Sequence, residues 1–157
     1  MGTMGSWVSD WAWGLMLVTV SLVIHALGIT LIGFLLVRWF GGSDHDRRSA
    51  FSRFRFPSVI AVVSLALAML HGFEAGVWAS TYIWLGAVDT YRDGMFVSLQ
   101  FTTTLGTTFV DLRPGWRLMG PLEGIAGMLA FGLSTAFLFA VFQRASPFEA
   151  TENDQRR

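Results

Sequence analysis

The sequence predicts an all-α membrane protein that has three transmembrane helices and one shorter re-entrant segment. Of its 157 residues, 53% are apolar and only 14% are charged, whereas a soluble domain has about 25% charged residues. Charged residues divide the chain into four apolar stretches. Three of these stretches reach the length of about 20 apolar residues that spanning a bilayer requires.

The first predicted element is a peripheral transmembrane helix, assigned with the N-terminal end of the chain to residues 1–40. Residues 11–37 contain no Asp, Glu, Lys or Arg, so this stretch is long enough to cross a membrane. His25 lies within it and is interpreted as a packed or interfacial polar residue. An arginine-rich loop over residues 41–56 follows.

The second predicted span covers residues 56–88, where Glu74 is the single charged residue. His71 precedes it by three positions, so the two side chains share one helical face. One interpretation makes Glu74 a brace that hydrogen-bonds threonines of the following re-entrant segment. A second interpretation makes it a neutral packing pair with His71. A His-x-x-Glu metal site is a third alternative, for which the sequence shows only two ligands.

The third stretch, residues 94–110, is too short and too rich in threonine to span a bilayer. Such a segment is tolerated at membrane depth when it is buried in protein or lines water. Its first half predicts a short helix, and its second half predicts an extended Thr/Gly strand. Backbone oxygens in a strand of this kind replace water around a dehydrated cation, and the C-terminal end of the helix favours cations there.

The fourth stretch, residues 124–143, predicts the last transmembrane helix. Gly132 on this helix is a candidate gating hinge, although small residues also pack membrane helices together. The remaining residues, 144–157, are polar and predict a disordered tail.

Arginine placement predicts the orientation of the chain. Eight arginines fall in the first loop and the C-terminal tail, and three fall between the second and fourth stretches: Arg92, Arg113 and Arg117. By the positive-inside rule, the first loop and the C-terminus are cytoplasmic and the N-terminus is outside. Three spans satisfy this parity, which requires the third stretch to enter and leave on the outer face.

Charge and motif content exclude several functions. Eleven acidic residues balance eleven basic ones, so no basic field is available to bind nucleic acid. The chain has no cysteine and no nucleophile or phosphate-binding motif. We therefore expect neither an enzyme nor a cofactor, and no metal beyond cations in transit.

The third stretch resembles the pore region of a known family. Residues 96–104 read F-x-S-L-x-F-T-T-T and are followed by Leu105-Gly106. This pattern is similar to the pore helix and selectivity filter of tetrameric potassium channels. The resemblance extends to residues 71–79, 116–124 and 131–139. Together these regions are similar to small bacterial potassium-channel-like proteins of the inner membrane. The resemblance implies a pore unit over residues 57–143 that follows an extra first helix.

The resemblance implies a homotetramer that conducts monovalent cations passively, with potassium as the expected ion. It also implies a set of site residues. The filter would comprise Thr104, Leu105, Gly106, Thr107 and Thr108. Residues supporting the filter or its mouth would be Glu74, His71, Thr103 and Asp111.

The filter departs from the family pattern T-x-G-Y-G-D in its outer half. Thr107 replaces the tyrosine, Thr108 replaces the second glycine, and Phe109 replaces the acid. A β-branched residue at positive φ is a strong outlier, so we expect a wider and less selective outer half. Asp111 would then supply the charge at the mouth. Two alternatives remain: a poorly selective cation channel of the same fold, and a non-conducting structural or regulatory membrane subunit.

Overall fold

The computed structural model describes the backbone of residues 3–40, 51–106 and 110–145. These residues form four α-helices and no strand: α1 (Thr3–Phe40), α2 (Phe51–Trp84), α3 (Tyr91–Thr102) and α4 (Met119–Ala145), with a 3-10 turn at Pro114–Trp116. Three segments are long and apolar enough to cross a membrane: Trp7–Trp39, Pro57–Trp84 and Pro114–Arg144. The predicted all-α class and the three apolar spans are confirmed, and they support a membrane protein.

The helices extend beyond the apolar stretches that predict them. α2 begins at Phe51, so the last six residues of the predicted loop 41–56 are helical. Pro57 lies inside this helix, where it supplies no backbone N–H for an intrahelical hydrogen bond. The rest of that loop, residues 41–50, and the predicted tail from residue 146 onward lie outside the described residues.

The three long helices pack around a core that α3 shares. Trp78 and Tyr82 of α2, Val97 of α3 and Met119 of α4 are buried together. The indole N–H of Trp78 donates to Ser21 Oγ of α1 at 2.9 Å. Large apolar side chains on the outer face of α1 remain exposed, as expected of a surface that contacts lipid: Leu15, Val23, Leu27, Leu31 and Phe34.

α3 runs back along α2 toward the middle of the bundle. Thr90 caps its N-terminus by accepting a hydrogen bond from the Asp93 N–H at 3.1 Å. Gly94 then lies against the backbone of Ala79. One turn later, the Ser98 hydroxyl donates to the Ala75 carbonyl at 3.0 Å. α3 is therefore antiparallel to α2.

The chain after α3 returns to the end of the bundle where α3 begins. The backbone N–H of Arg113 donates to the Ala87 carbonyl at 3.1 Å. Its guanidinium donates to the Gly86 carbonyl at 2.7 Å and to the Asp89 carboxylate at 2.6 Å. These contacts place Arg113 beside the residues that precede α3. The segment from Tyr91 to Arg113, here called the excursion, therefore starts and ends at one end of the bundle.

Candidate functional site

The candidate filter begins with a tight turn at the end of α3. The Thr104 N–H donates to the Phe101 carbonyl, and the Leu105 N–H donates to the Gln100 carbonyl, each at 2.9 Å. This pair of bonds is the Schellman motif, in which the residue after the helix cap adopts a left-handed conformation. Thr104 occupies that position with a φ of 61°. The turn differs from the extended strand that the sequence predicts directly after the helix.

Among the described residues, Thr104 is the one residue other than glycine that has a positive φ. The left-handed position of a Schellman motif usually holds glycine, and a residue with a Cβ costs about 1–2 kcal/mol there. Gly106, two residues later, also has a positive φ of 73°. The sequence predicts such strain for Thr107 and Thr108, which lie outside the described residues. Strained backbone of this kind clusters at functional sites.

The turn presents polar groups on its open side. Thr103, Thr104 and Leu105 are exposed, and Leu105 retains 78% of its accessible surface. Within the described part of the chain, no donor contacts the carbonyl oxygens of residues 103–105. The Thr103 hydroxyl instead donates back to the Leu99 carbonyl at 2.6 Å. With respect to residues 3–40, 51–106 and 110–145, these oxygens are open to a further donor or to a cation.

Asp111, the expected charge at the pore mouth, is paired. Its carboxylate lies 3.1 Å from the guanidinium of Arg117 and accepts a hydrogen bond from the Leu112 N–H at 2.9 Å. Both members of the ion pair are more than half exposed, so solvent screens it.

A buried carboxylate lies behind the last turn of α3. Glu123 of α4 is 1% exposed and accepts a hydrogen bond from the Tyr82 hydroxyl at 2.6 Å. Its other oxygen accepts from Thr102 at 3.2 Å and from the Ser98 hydroxyl. One side chain thus joins α2, α3 and α4.

Close backbone contact holds the end of α3 against α4. A Cβ at Gly127 would overlap the carbonyl oxygen of Thr102 and lie 2.9 Å from its Cα. A Cβ at Gly120 would overlap the ring of Phe101. α4 therefore approaches α3 where only glycine fits, at Phe101 and Thr102, which lie three and two residues before the candidate filter.

One interpretation of the sequence makes Glu74 a brace for the re-entrant segment. In the structure, the residue in that position is Glu123. Among the described residues, Glu74 contacts histidines and no threonine. The sequence does not identify Glu123 as a site residue, because Glu123 directly precedes the apolar stretch 124–143 and is interpreted as the charge that ends the preceding polar segment. Its hydroxyl partners come from two other helices. The spacing of residues along the sequence does not predict that these side chains meet.

Glu74 belongs to a second polar cluster, at the contact of α1, α2 and α4. Its carboxylate lies 2.8 Å from His25 Nδ1 and 3.7 Å from His71 Nδ1. Ser134 Oγ lies 3.0 Å from His25 Nε2 and 3.2 Å from His71 Nε2. His25 is fully buried, and Glu74 and Ser134 are nearly so. Phe131 stacks on the His71 ring with centroids 4.3 Å apart.

Gly132, the candidate hinge, is exposed on α4, and a Cβ there would meet nothing within 4 Å. The helix is continuous through it, from Met119 to Ala145. Its role in gating stays a prediction.

Comparisons of the chain with protein-family models, with curated proteins and with solved structures found no match.

Proposed function

We propose that four copies of this chain surround one axis and conduct monovalent cations passively across a membrane, with potassium as the main ion. Residues 104–108 of each copy would line the selective part of the pore, and Thr103 would support it. The observation that carries the proposal is that residues 91–113, which begin with a short helix and a polar turn, start and end at the same end of the bundle.

The chemistry of the turn supports cation binding. The C-terminal end of a helix carries a partial negative charge, and α3 ends at this turn. Rings of carbonyl oxygens replace the hydration shell of an ion in a selectivity filter. The carbonyls of residues 103–105 have no donor among the described residues, and the Thr103 and Thr104 side chains add hydroxyls beside them.

The exposed apolar surface around the turn supports assembly into an oligomer. Leu99 and Leu105 of the excursion and Met128 of α4 are all exposed. One excursion cannot enclose a pore, so a closed cyclic oligomer is needed to complete it. The resemblance of residues 96–106 to tetrameric potassium channels indicates four copies. The distribution of arginines favours an orientation with the C-terminus in the cytoplasm.

The first test of this proposal is Gly106→Ala. Gly106 has a positive φ but open space around it, so an added methyl strains the candidate filter by about 1 kcal/mol without disturbing the packing. We expect at least a tenfold loss of cation current in planar bilayers while the oligomer stays intact. Gly115→Ala is the control, because a methyl there also meets nothing within 4 Å. Undiminished current in the Gly106→Ala protein would remove this residue from the filter.

The second test concerns ion choice. Thr107 and Thr108 stand where the family pattern has tyrosine and glycine, so the spacing of the outer oxygen rings is weakly enforced. We expect cations to be preferred over anions, with a weaker preference for potassium over sodium than a T-x-G-Y-G filter gives. A loss of ~1.4 kcal/mol in differential binding lowers discrimination tenfold.

The double substitution Thr107→Tyr with Thr108→Gly should sharpen the preference for potassium. The measurement is the reversal potential under opposing potassium and sodium gradients. A wild-type value already at the potassium limit would refute the weakened filter. Absence of any current under both gradients would instead favour a non-conducting subunit.

A further inference from the structure

We propose that His25, His71 and Glu74 form a binding site for a divalent transition-metal ion of the zinc class, which links α1 to α2. Each residue offers one ligand atom, and these atoms lie within 4.8 Å of one another. The site is separate from the candidate filter, so the proposal does not depend on ion conduction.

The spacing of the ligand atoms suits a tetrahedral zinc ion. Zinc binds imidazole nitrogen and carboxylate oxygen at about 2.0–2.2 Å, which places adjacent ligands about 3.3–3.5 Å apart. The carboxylate of Glu74 lies 2.8 Å from His25 Nδ1 and 3.7 Å from His71 Nδ1. The shorter distance goes to Glu74 Oε1 and the longer one to Oε2, and the ligand atoms of the three residues all lie within 4.8 Å of one another. Binding one ion through a single Glu74 oxygen therefore requires the side chains to close up around it.

Ser134 holds both imidazole rings in the orientation that a metal needs. A ligating histidine usually donates its second ring N–H to a polar group, which fixes the tautomer. The Ser134 hydroxyl oxygen lies 3.0 Å from His25 Nε2 and 3.2 Å from His71 Nε2. Because a hydroxyl oxygen has two lone pairs, it can accept from both rings. A metal ion would then displace the proton of the 2.8 Å hydrogen bond between His25 Nδ1 and Glu74, and both Nδ1 atoms would present lone pairs to the ion.

One polar atom of the cluster has no hydrogen-bond partner among the described residues. His71 Nδ1 is buried and makes no hydrogen bond to any described residue. Its distance of 3.7 Å from Glu74 is too long for one. A buried polar group without a partner is costly, and a cation bound by the two nitrogens and the carboxylate would give His71 Nδ1 that partner.

The ligand types define the class of metal. Imidazole suits zinc, copper, nickel and iron, whereas calcium and magnesium take oxygen ligands. Three protein ligands leave a fourth position for water, as in zinc sites that are not closed by the protein. Ser134 comes from α4, so binding at this site would also order the contact between α4 and the two ligating helices.

The test is isothermal titration of ZnCl₂ into the purified full chain in detergent, without a histidine tag. We expect one zinc ion per chain, with affinity reduced at least tenfold in His71→Ala and in Glu74→Gln. Ser134→Ala should weaken binding about 10- to 100-fold, the usual effect of losing a group that orients a ligand. His45→Ala is the matched control, because it removes the chain's remaining histidine and should leave binding unchanged.

X-ray absorption on the zinc-loaded wild-type protein keeps the proposal testable if the variants misfold. Two nitrogen ligands of imidazole type and oxygen ligands at about 2.0–2.2 Å would support the site. Absence of stoichiometric binding would overturn it. Binding that is lost in His45→Ala and kept in His71→Ala would also overturn it, because the zinc would then lie in the loop.

Discussion

Gly127→Ala should displace the end of α3 and abolish cation conduction. The added methyl overlaps the Thr102 carbonyl oxygen and lies 2.9 Å from the Thr102 Cα. The obstacle is backbone, which cannot move aside as a flexible side chain does. Overpacking of this kind costs about 1–3 kcal/mol or more. Because Thr102 ends α3, the resulting shift moves residues 103–106 directly.

The matched control for this change is Gly132→Ala on the same helix. A methyl at Gly132 meets nothing within 4 Å, so thermal stability of the detergent-solubilised protein should be unchanged there. In Gly127→Ala we expect a lower unfolding midpoint and loss of current. Equal unfolding midpoints in the two variants would contradict the close packing of α3 on α4.

Glu123→Ala should destabilise the protein by roughly 2–5 kcal/mol, since it leaves buried hydroxyls without an acceptor. Tyr82 is fully buried, and Glu123 is its acceptor at 2.6 Å. Thr102 loses its bond to the same carboxylate. Ser98 is less affected, because its hydroxyl also lies 3.0 Å from the Ala75 carbonyl. The anchoring of the last turn of α3 is lost, and conduction should fall with it.

Glu123→Gln distinguishes the loss of hydrogen bonds from the loss of charge. Glutamine keeps one carbonyl oxygen for Thr102 and Ser98, and its amide can donate to the Tyr82 oxygen. We therefore expect Gln to cost about 1 kcal/mol and to retain current, with Ala far worse in both chemical denaturation and bilayer recordings. Equal damage from Gln and Ala would mean that the carboxylate charge, and not the hydrogen bonds, holds α3.

The three long helices are predictable because charged residues interrupt the apolar stretches at membrane-sized intervals. Their ends are not predictable to the residue, as α2 shows by beginning at Phe51, ahead of Pro57. Hydropathy measures which residues tolerate lipid, whereas a helix continues wherever its backbone hydrogen bonds are satisfied. The closing of the excursion by Arg113 against Gly86 and Asp89 likewise joins residues that local patterns do not relate.

The polar clusters were the least predictable feature. The spacing of His71 and Glu74 identifies one shared helical face, yet His25 lies 49 positions from Glu74 and meets it through packing of α1 on α2. Glu123 reaches Tyr82 in the same way, across 41 positions. The sequence also does not predict the left-handed conformation of Thr104, because that position in a helix cap usually holds glycine.

Potassium efflux from liposomes that contain the purified protein tests the proposed channel most directly. With a protonophore present to carry compensating charge, the proposal predicts efflux down an imposed potassium gradient, without any added energy source, at a rate well above that of protein-free liposomes. Liposomes that contain the Gly106→Ala protein should retain their potassium, and the wild-type protein should elute as a tetramer. An intact tetramer that passes neither potassium nor sodium above the protein-free rate would contradict the assignment of a conducting pore.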